Sequence, residues 1–200
     1  MTWCTGLALV GALAGCGQSA AVRVAGSWGQ AMEMPGLGAL YQGGGAGVDS
    51  VSCASAGNCA AGGSYRDGDR HRQGFVAVER HGVWGTAIEV PGLGALKAGG
   101  DAGVGSVSCA SAGSCAAAGY YTDGGENGHG FVADEQDGAW GKAIEVPALS
   151  SENAEVDSVS CASAGNCAAG GHDDPYGSGF VVSEKNGVWG PAIEVPGLGP

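Results

Sequence analysis

The 200-residue chain carries 42 glycines, 8 cysteines, 20 acidic and 8 basic side chains, and its formal net charge is −12. A phosphate-binding face needs gathered Lys and Arg, and none are gathered here, which argues against nucleic acid and anionic membrane surfaces as partners. Aromatic residues make up only 6%, so the sequence predicts a core built largely from Val, Ile and Ala and helped by disulfides.

The chain opens on an apolar run of small residues, 6–15, followed by Cys16. The run is too short to span a bilayer as a helix and has the size of a signal-peptide core. Leu13-Ala14-Gly15-Cys16 resembles the lipobox of bacterial lipoproteins. The resemblance implies removal of residues 1–15 and lipid attachment to the Cys16 thiol. No Lys or Arg precedes the run, which departs from the positively charged start of a signal. A rival reading stays open. Cys4 stands 24 residues before Trp28, close to the later Cys-to-Trp spacing, as in the remnant of a truncated repeat.

From residue 20 onward the chain repeats. Residues 27–37 parallel the second half of a unit, with Trp28-Gly29 matching Trp84-Gly85, Trp140-Gly141 and Trp189-Gly190. Three full units follow, each opening on Ser-Val-Ser-Cys at Ser50, Ser106 and Ser158. A period near 50 residues marks a repeat architecture in which each unit buries its face against its neighbours. Cys53 and Cys59, Cys109 and Cys115, and Cys161 and Cys167 form three identical Cys-x5-Cys pairs. They predict three local disulfides in an oxidising compartment. Reduced buried cysteines are the alternative. Zinc is weaker, because structural sites favour closer ligands and converging pairs.

Each unit predicts four short strands: in the first, residues 48–53, 59–65, 74–79 and 83–90. The first turn spans residues 54–58 and a polar loop spans 66–73. His81-Gly82, Asp137-Gly138 and Asn186-Gly187 mark tight hairpins. Pro91 ends the fourth strand. No window shows a helical apolar period. The expected division is residues 1–15 as signal, 20–44 as a partial blade and linker, and 45–100, 101–150 and 151–200 as blade repeats.

The Ser-Val-Ser-Cys runs, the Gly-Phe-Val triplets at Gly74, Gly130 and Gly179, and the Trp-Gly steps resemble the short Cys-x5-Cys propeller-like repeats of secreted bacterial proteins. The resemblance covers residues 20–200. It implies an all-β, β-propeller-like array of four-stranded antiparallel blades, three full and one half, in an extracytoplasmic setting. It implies no particular activity.

The variable loops hold the candidate binding groups. They are Tyr65, Asp67, Asp69 and His71 in the first unit. The second has Tyr120, Tyr121, Asp123, Glu126, Asn127 and His129, and the third His172, Asp173, Asp174 and Tyr176. Loops on one face of a repeat array commonly bind partners, and these groups suit a glycan or a protein. The competing reading is turn chemistry at Asp67-Gly68 and Asp123-Gly124. Calcium fits poorly, since the carboxylates lack the alternating ligand spacing. The loop histidines are out of register between units and read as solvated. The recurring Glu33, Glu89, Glu145 and Glu194 read as solvent-facing groups on an outer strand that discourage edge pairing. No nucleophile elbow, zinc-protease helix or phosphate loop is present, and no cofactor or metal is implied. The reading is a non-catalytic, extracytoplasmic module that touches a membrane only through a lipid anchor. Its alternatives are a propeller glycosidase or lyase using loop carboxylates such as Asp67, Asp123 and Asp174, and a structural piece of a larger propeller that self-associates to complete it.

Overall fold

The computed structural model describes residues 29–41, 44–98, 100–149, 153–173 and 177–197. The chain divides into two compact units, residues 1–32 and 33–200, and every element among the described residues lies in the second. The expected signal, Cys16, Trp28 and residues 20–28 of the expected half blade fall on residues 1–28, outside the described ones.

Each repeat folds as one antiparallel sheet. The first contains β1 (Ala46–Ser55), β2 (Asn58–Arg66), β3 (Arg72–Arg80), β4 (Val83–Trp84) and β5 (Ile88–Glu89). The second contains β6 (Ala102–Ser111), β7 (Ser114–Thr122), β8 (Gly128–Gln136), β9 (Ala139–Trp140) and β10 (Ile144–Glu145). The third contains β11 (Ala154–Ser163), β12 (Asn166–Asp173), β13 (Ser178–Lys185), β14 (Val188–Trp189) and β15 (Ile193–Glu194). In each sheet the first three strands form a meander, and both short strands pair with the third. Each tight turn has positive φ at both central residues, as at His81 (51°) and Gly82 (80°). That conformation matches the twist of a two-residue hairpin. Cys53–Cys59, Cys109–Cys115 and Cys161–Cys167 are bridged, each across directly opposed residues of its first hairpin.

The fourth strand is broken, against expectation. Glu79 pairs with Trp84 and Val76 with Ile88, so the outer strand carries one extra residue between the two short pieces. This bulge bends the strand. Ala87 and Val90 turn inward, while Ile88, Ile144 and Ile193 are exposed. The core therefore rests on Val, Ala and Phe rather than on Ile. After the first of the broken strands comes the short helix α2 (Leu93–Lys97), and α1 (Leu37–Leu40) precedes the first sheet in the same way. At four and five residues, neither is long enough to show a helical period in sequence.

The sheets stack in chain order. β6 packs across β1, β2 and β3, and β11 packs across β6, β7 and β8. The repeated serines join them. Ser50 and Ser52 hydroxyls accept from the N–H groups of Val107 and Cys109, each at 3.0 Å. Ser106 and Ser108 accept from Val159 and Cys161 at 3.1 and 3.0 Å. The outward N–H groups of β6 and β11 are thus satisfied by the preceding sheet, which accounts for the serines of the first two Ser-x-Ser-Cys runs. A second link joins the carbonyl of Pro35, Pro91 or Pro147 to the N–H of Ala87, Ala143 or Ala192, each at 2.7 Å. Between the sheets, Val104 and Val107 fill the space over Gly62. A Cβ at Gly62 would lie 2.4 Å from Val104 Cγ1, so a side chain here would force Val104 to move, whereas buried Ala118 fills the same place at the second junction. Phe131, Val104 and Ala60 line the first junction, and Phe180, Val156 and Ala116 the second. Each fully buried Val or Phe contributes about 1.5–3 kcal/mol.

A glutamate four residues after Phe131 and after Phe180 faces the preceding sheet. Glu135 is fully buried at the first junction, with its Oε1 3.7 Å from Arg80. Burial pushes its carboxyl up, and Arg80 works against that rise. At the second junction Glu184 meets Asp134 instead. Burial and then the Asp134 charge push Glu184 up to about 7. Asp134 Oδ2 accepts from the Trp189 indole N–H at 2.9 Å.

Candidate functional site

The loops that join second to third strands leave each sheet at the end opposite its disulfide. In the first loop, Asp67 Oδ1 accepts from the N–H groups of Asp69 and His71, both at 3.0 Å, and Oδ2 accepts from Gln73 Nε2. Burial opposes ionisation of Asp67, but these hydrogen bonds outweigh it and hold the carboxyl below its usual range. In the second loop, Asp123 Oδ1 accepts from Gly125 and Asn127 N–H groups at 2.8 and 3.0 Å. The Asn127 backbone bond, then that of Gly125, hold Asp123 down at about 2. Both aspartates are spent on their own turns. Asp69 and Glu126 line the same turns and are exposed. Asp67 and Asp123, two of the three acids named for a glycosidase, are hydrogen-bonded within their own turns, and Asp174 and Tyr176 lie outside the described residues.

Tyr65 and Tyr121 point inward. Tyr121 is 3% exposed and its hydroxyl donates to Glu145 Oε2 at 3.0 Å. Its ring stacks on His129 with centroids 5.0 Å apart. His129 lies between two carboxylates, with Nε2 3.3 Å from Asp123 and Nδ1 3.4 Å from Glu145. It is therefore held in place rather than solvated. Tyr65 repeats the arrangement against Glu89, with burial first and the Glu89 charge second pushing its phenol up to about 12. Glu89 and Glu145 thus anchor tyrosine hydroxyls, where the sequence pattern placed a solvent-facing guard of the edge. In the third sheet Asp173 replaces the tyrosine. Its place is an open cavity of about 300 Å³ lined by Leu149, Asp173, Ser178, Phe180 and Glu194.

A second set of groups comes together across the sheets. The Arg72 guanidinium donates to the Tyr120 hydroxyl at 3.1 Å, and the Arg72 N–H donates to Asp101 Oδ1 at 2.8 Å. His71 Nδ1 lies 3.7 Å from the same Asp101 oxygen. On the third sheet His172 Nδ1 is 2.8 Å from Asp157. Burial, then Asp157, push the Glu155 carboxyl up, while His172 and Arg72 pull it down. Arg72, Tyr120, Glu155, Asp157 and His172 therefore share one electrostatic strip along the first strands and loop ends of three units. Of the candidate loop residues, His71, Tyr120 and His172 belong to it. Arg72, Asp101, Glu155 and Asp157 were not singled out in the sequence. Their signal was variation inside constant strands, where Asp49, Gly105 and Asp157 occupy the bulge of each first strand. Among the described residues no cluster of three or more His, Cys, Asp or Glu is placed to hold a metal ion.

No protein-family model matches the chain, and no curated protein matches it. The three intramolecular disulfides point to an oxidising, extracytoplasmic environment.

Proposed function

We propose that the chain is a non-catalytic, extracytoplasmic module of β-propeller-type blades that binds a glycan or a protein at its loop end. The blade reading is supported by three sheets that stack face to face, with the first strand of each laid across the sheet before. The binding reading is carried by the strip from Arg72 through Tyr120 to His172. There a guanidinium, a phenol and an imidazole stand at the surface on three rigid sheets, which suits polar ligands with hydroxyl or amide groups. Removal of residues 1–15 and lipidation of Cys16 belong to the same reading, and the intact mass of protein from a secreting bacterial host tests them.

The binding test is a titration of isotope-labelled protein with oligosaccharides and candidate surface proteins, followed by amide shifts. Shifts should concentrate at residues 71–72, 120–121, 155–157 and 172. The double variant Arg72→Ala, Tyr120→Ala should bind at least about ten-fold more weakly, as expected for two lost polar contacts. Shifts confined to other surfaces, or full affinity in the variant, would reject the site.

A further inference from the structure

Among the described residues, the stack leaves one half of its own junction open at each end. On β1, Val48 and Val51 are 45% and 56% exposed, whereas Val104 and Val107 are 1% and 6% exposed and Val156 and Val159 are 0% and 6% exposed. On the far side of the third sheet, Val181 is 44% exposed, whereas its counterparts Val76 and Val132 are fully buried. Ala168 is exposed where Ala60 and Ala116 are buried. Gly170 stands at the place of Gly62, and a Cβ there would meet only atoms of its own sheet. Ser158 and Ser160 are exposed, while the four serines that bridge the internal junctions are half-buried.

The polar groups at the two open ends also complement each other. Arg80 of the first sheet reaches Glu135 of the second. The residues at the corresponding places of the open ends are Lys185 and Glu79. Trp189 donates to Asp134 across the second junction, and the residues at the corresponding places of the open ends are Trp84 and Ser183, an indole donor and a hydroxyl able to accept. At the first junction Trp140 lies near Val78 and its indole N–H has no acceptor among the described residues. The open ends thus match each other in polar pairs better than the first and second sheets do.

We propose that the first sheet of one copy and the third sheet of a second copy join head to tail in a junction of this same kind. Ser158 and Ser160 accept from the N–H groups of Val51 and Cys53 of the other copy. Val48 and Val51 fill the space over Gly170, and Lys185 pairs with Glu79. Residues 34–37 keep their place on the first sheet, where Leu37 packs with Phe75 and Tyr65. Pro196 and Gly197 of the docking copy turn aside there. A head-to-tail contact closes into a ring when the rotation per unit permits and otherwise extends as a filament. The surface is independent of the loop-end ligand site.

Light scattering across a wide concentration range tests the junction. The expected result is a mass that rises with concentration to a closed dimer or an open series. Val51→Asp and Val181→Asp should each remain monomeric, since both residues are exposed in the monomer and folding is spared. An equimolar mixture of these two variants should form a one-to-one complex, because it retains one intact junction. Lys185→Glu should weaken association, and Glu79→Lys in the same chain should restore it. A wild-type chain that stays monomeric throughout, or variants that associate as the wild type does, would overturn the proposal. So would a mixture that forms no complex.

Discussion

The two internal junctions share a backbone scheme and differ in their buried charges. Both use two serine hydroxyls on the next strand's N–H groups, one proline carbonyl on an alanine N–H, and two valines set into the facing sheet. At the first, a buried glutamate meets an arginine. At the second, a buried glutamate meets an aspartate that is itself bonded to an indole N–H. The contacts that fix spacing recur from unit to unit, while the charges beside them differ. Geometry is thus carried by the repeat, and the pH response is carried by its exceptions.

Gly62 offers the largest break in this comparison. Gly62→Ala forces a methyl into the Val104 side chain and should cost about 1–3 kcal/mol. Gly170→Ala, at the same place on the open end, meets ordinary contacts and should stay within about 0.5 kcal/mol in the monomer. Denaturant midpoints at constant m-value measure both.

The next effect is pH-dependent stability. Glu184 has a folded pKa of about 7, above the ordinary value of about 4.3 for an unfolded glutamate. The folded state therefore binds more protons between those values. Its contribution is fully present below the unfolded pKa, falls as pH rises through the interval and levels off above about 7. Glu184→Gln should flatten that decline. Arg80→Gln should add a decline of the same sign from Glu135, which loses its cation. Melting temperature against pH for the three proteins separates these outcomes.

The smallest effect belongs to the serines. Ser50→Ala and Ser52→Ala each strand one N–H of the next strand and should cost about 0.5–1.5 kcal/mol. Ser158→Ala and Ser160→Ala should leave the monomer unchanged, as read from urea unfolding at low protein concentration.

Much of each sheet was legible from sequence. Paired cysteines, two-residue turns and the Gly-Phe-Val triplets placed the three-strand meander, because those signals act within a few residues of one another. The broken outer strand was not legible, since Trp84 and Ile88 read as one run and the extra residue appears only against β3. The isoleucines misled for the same reason. The loop aspartates were read correctly under their plainer alternative, as turn-formers. Glu135 and Glu184 passed unnoticed because a repeated glutamate on a strand reads as a surface group until another sheet is laid over it. Arg72 and Tyr120 belong to different units, and no local pattern brings them together.

Amide hydrogen exchange at six N–H groups tests the stacked-sheet account most directly. Val107, Cys109, Val159 and Cys161 are bonded to serine hydroxyls of the preceding sheet, while Val51 and Cys53 occupy the same positions on the open edge of β1. In dilute, monomeric protein the first four should be protected and the last two should exchange at the rate of open chain. Equal exchange at all six would contradict the stacking of the sheets through their serines.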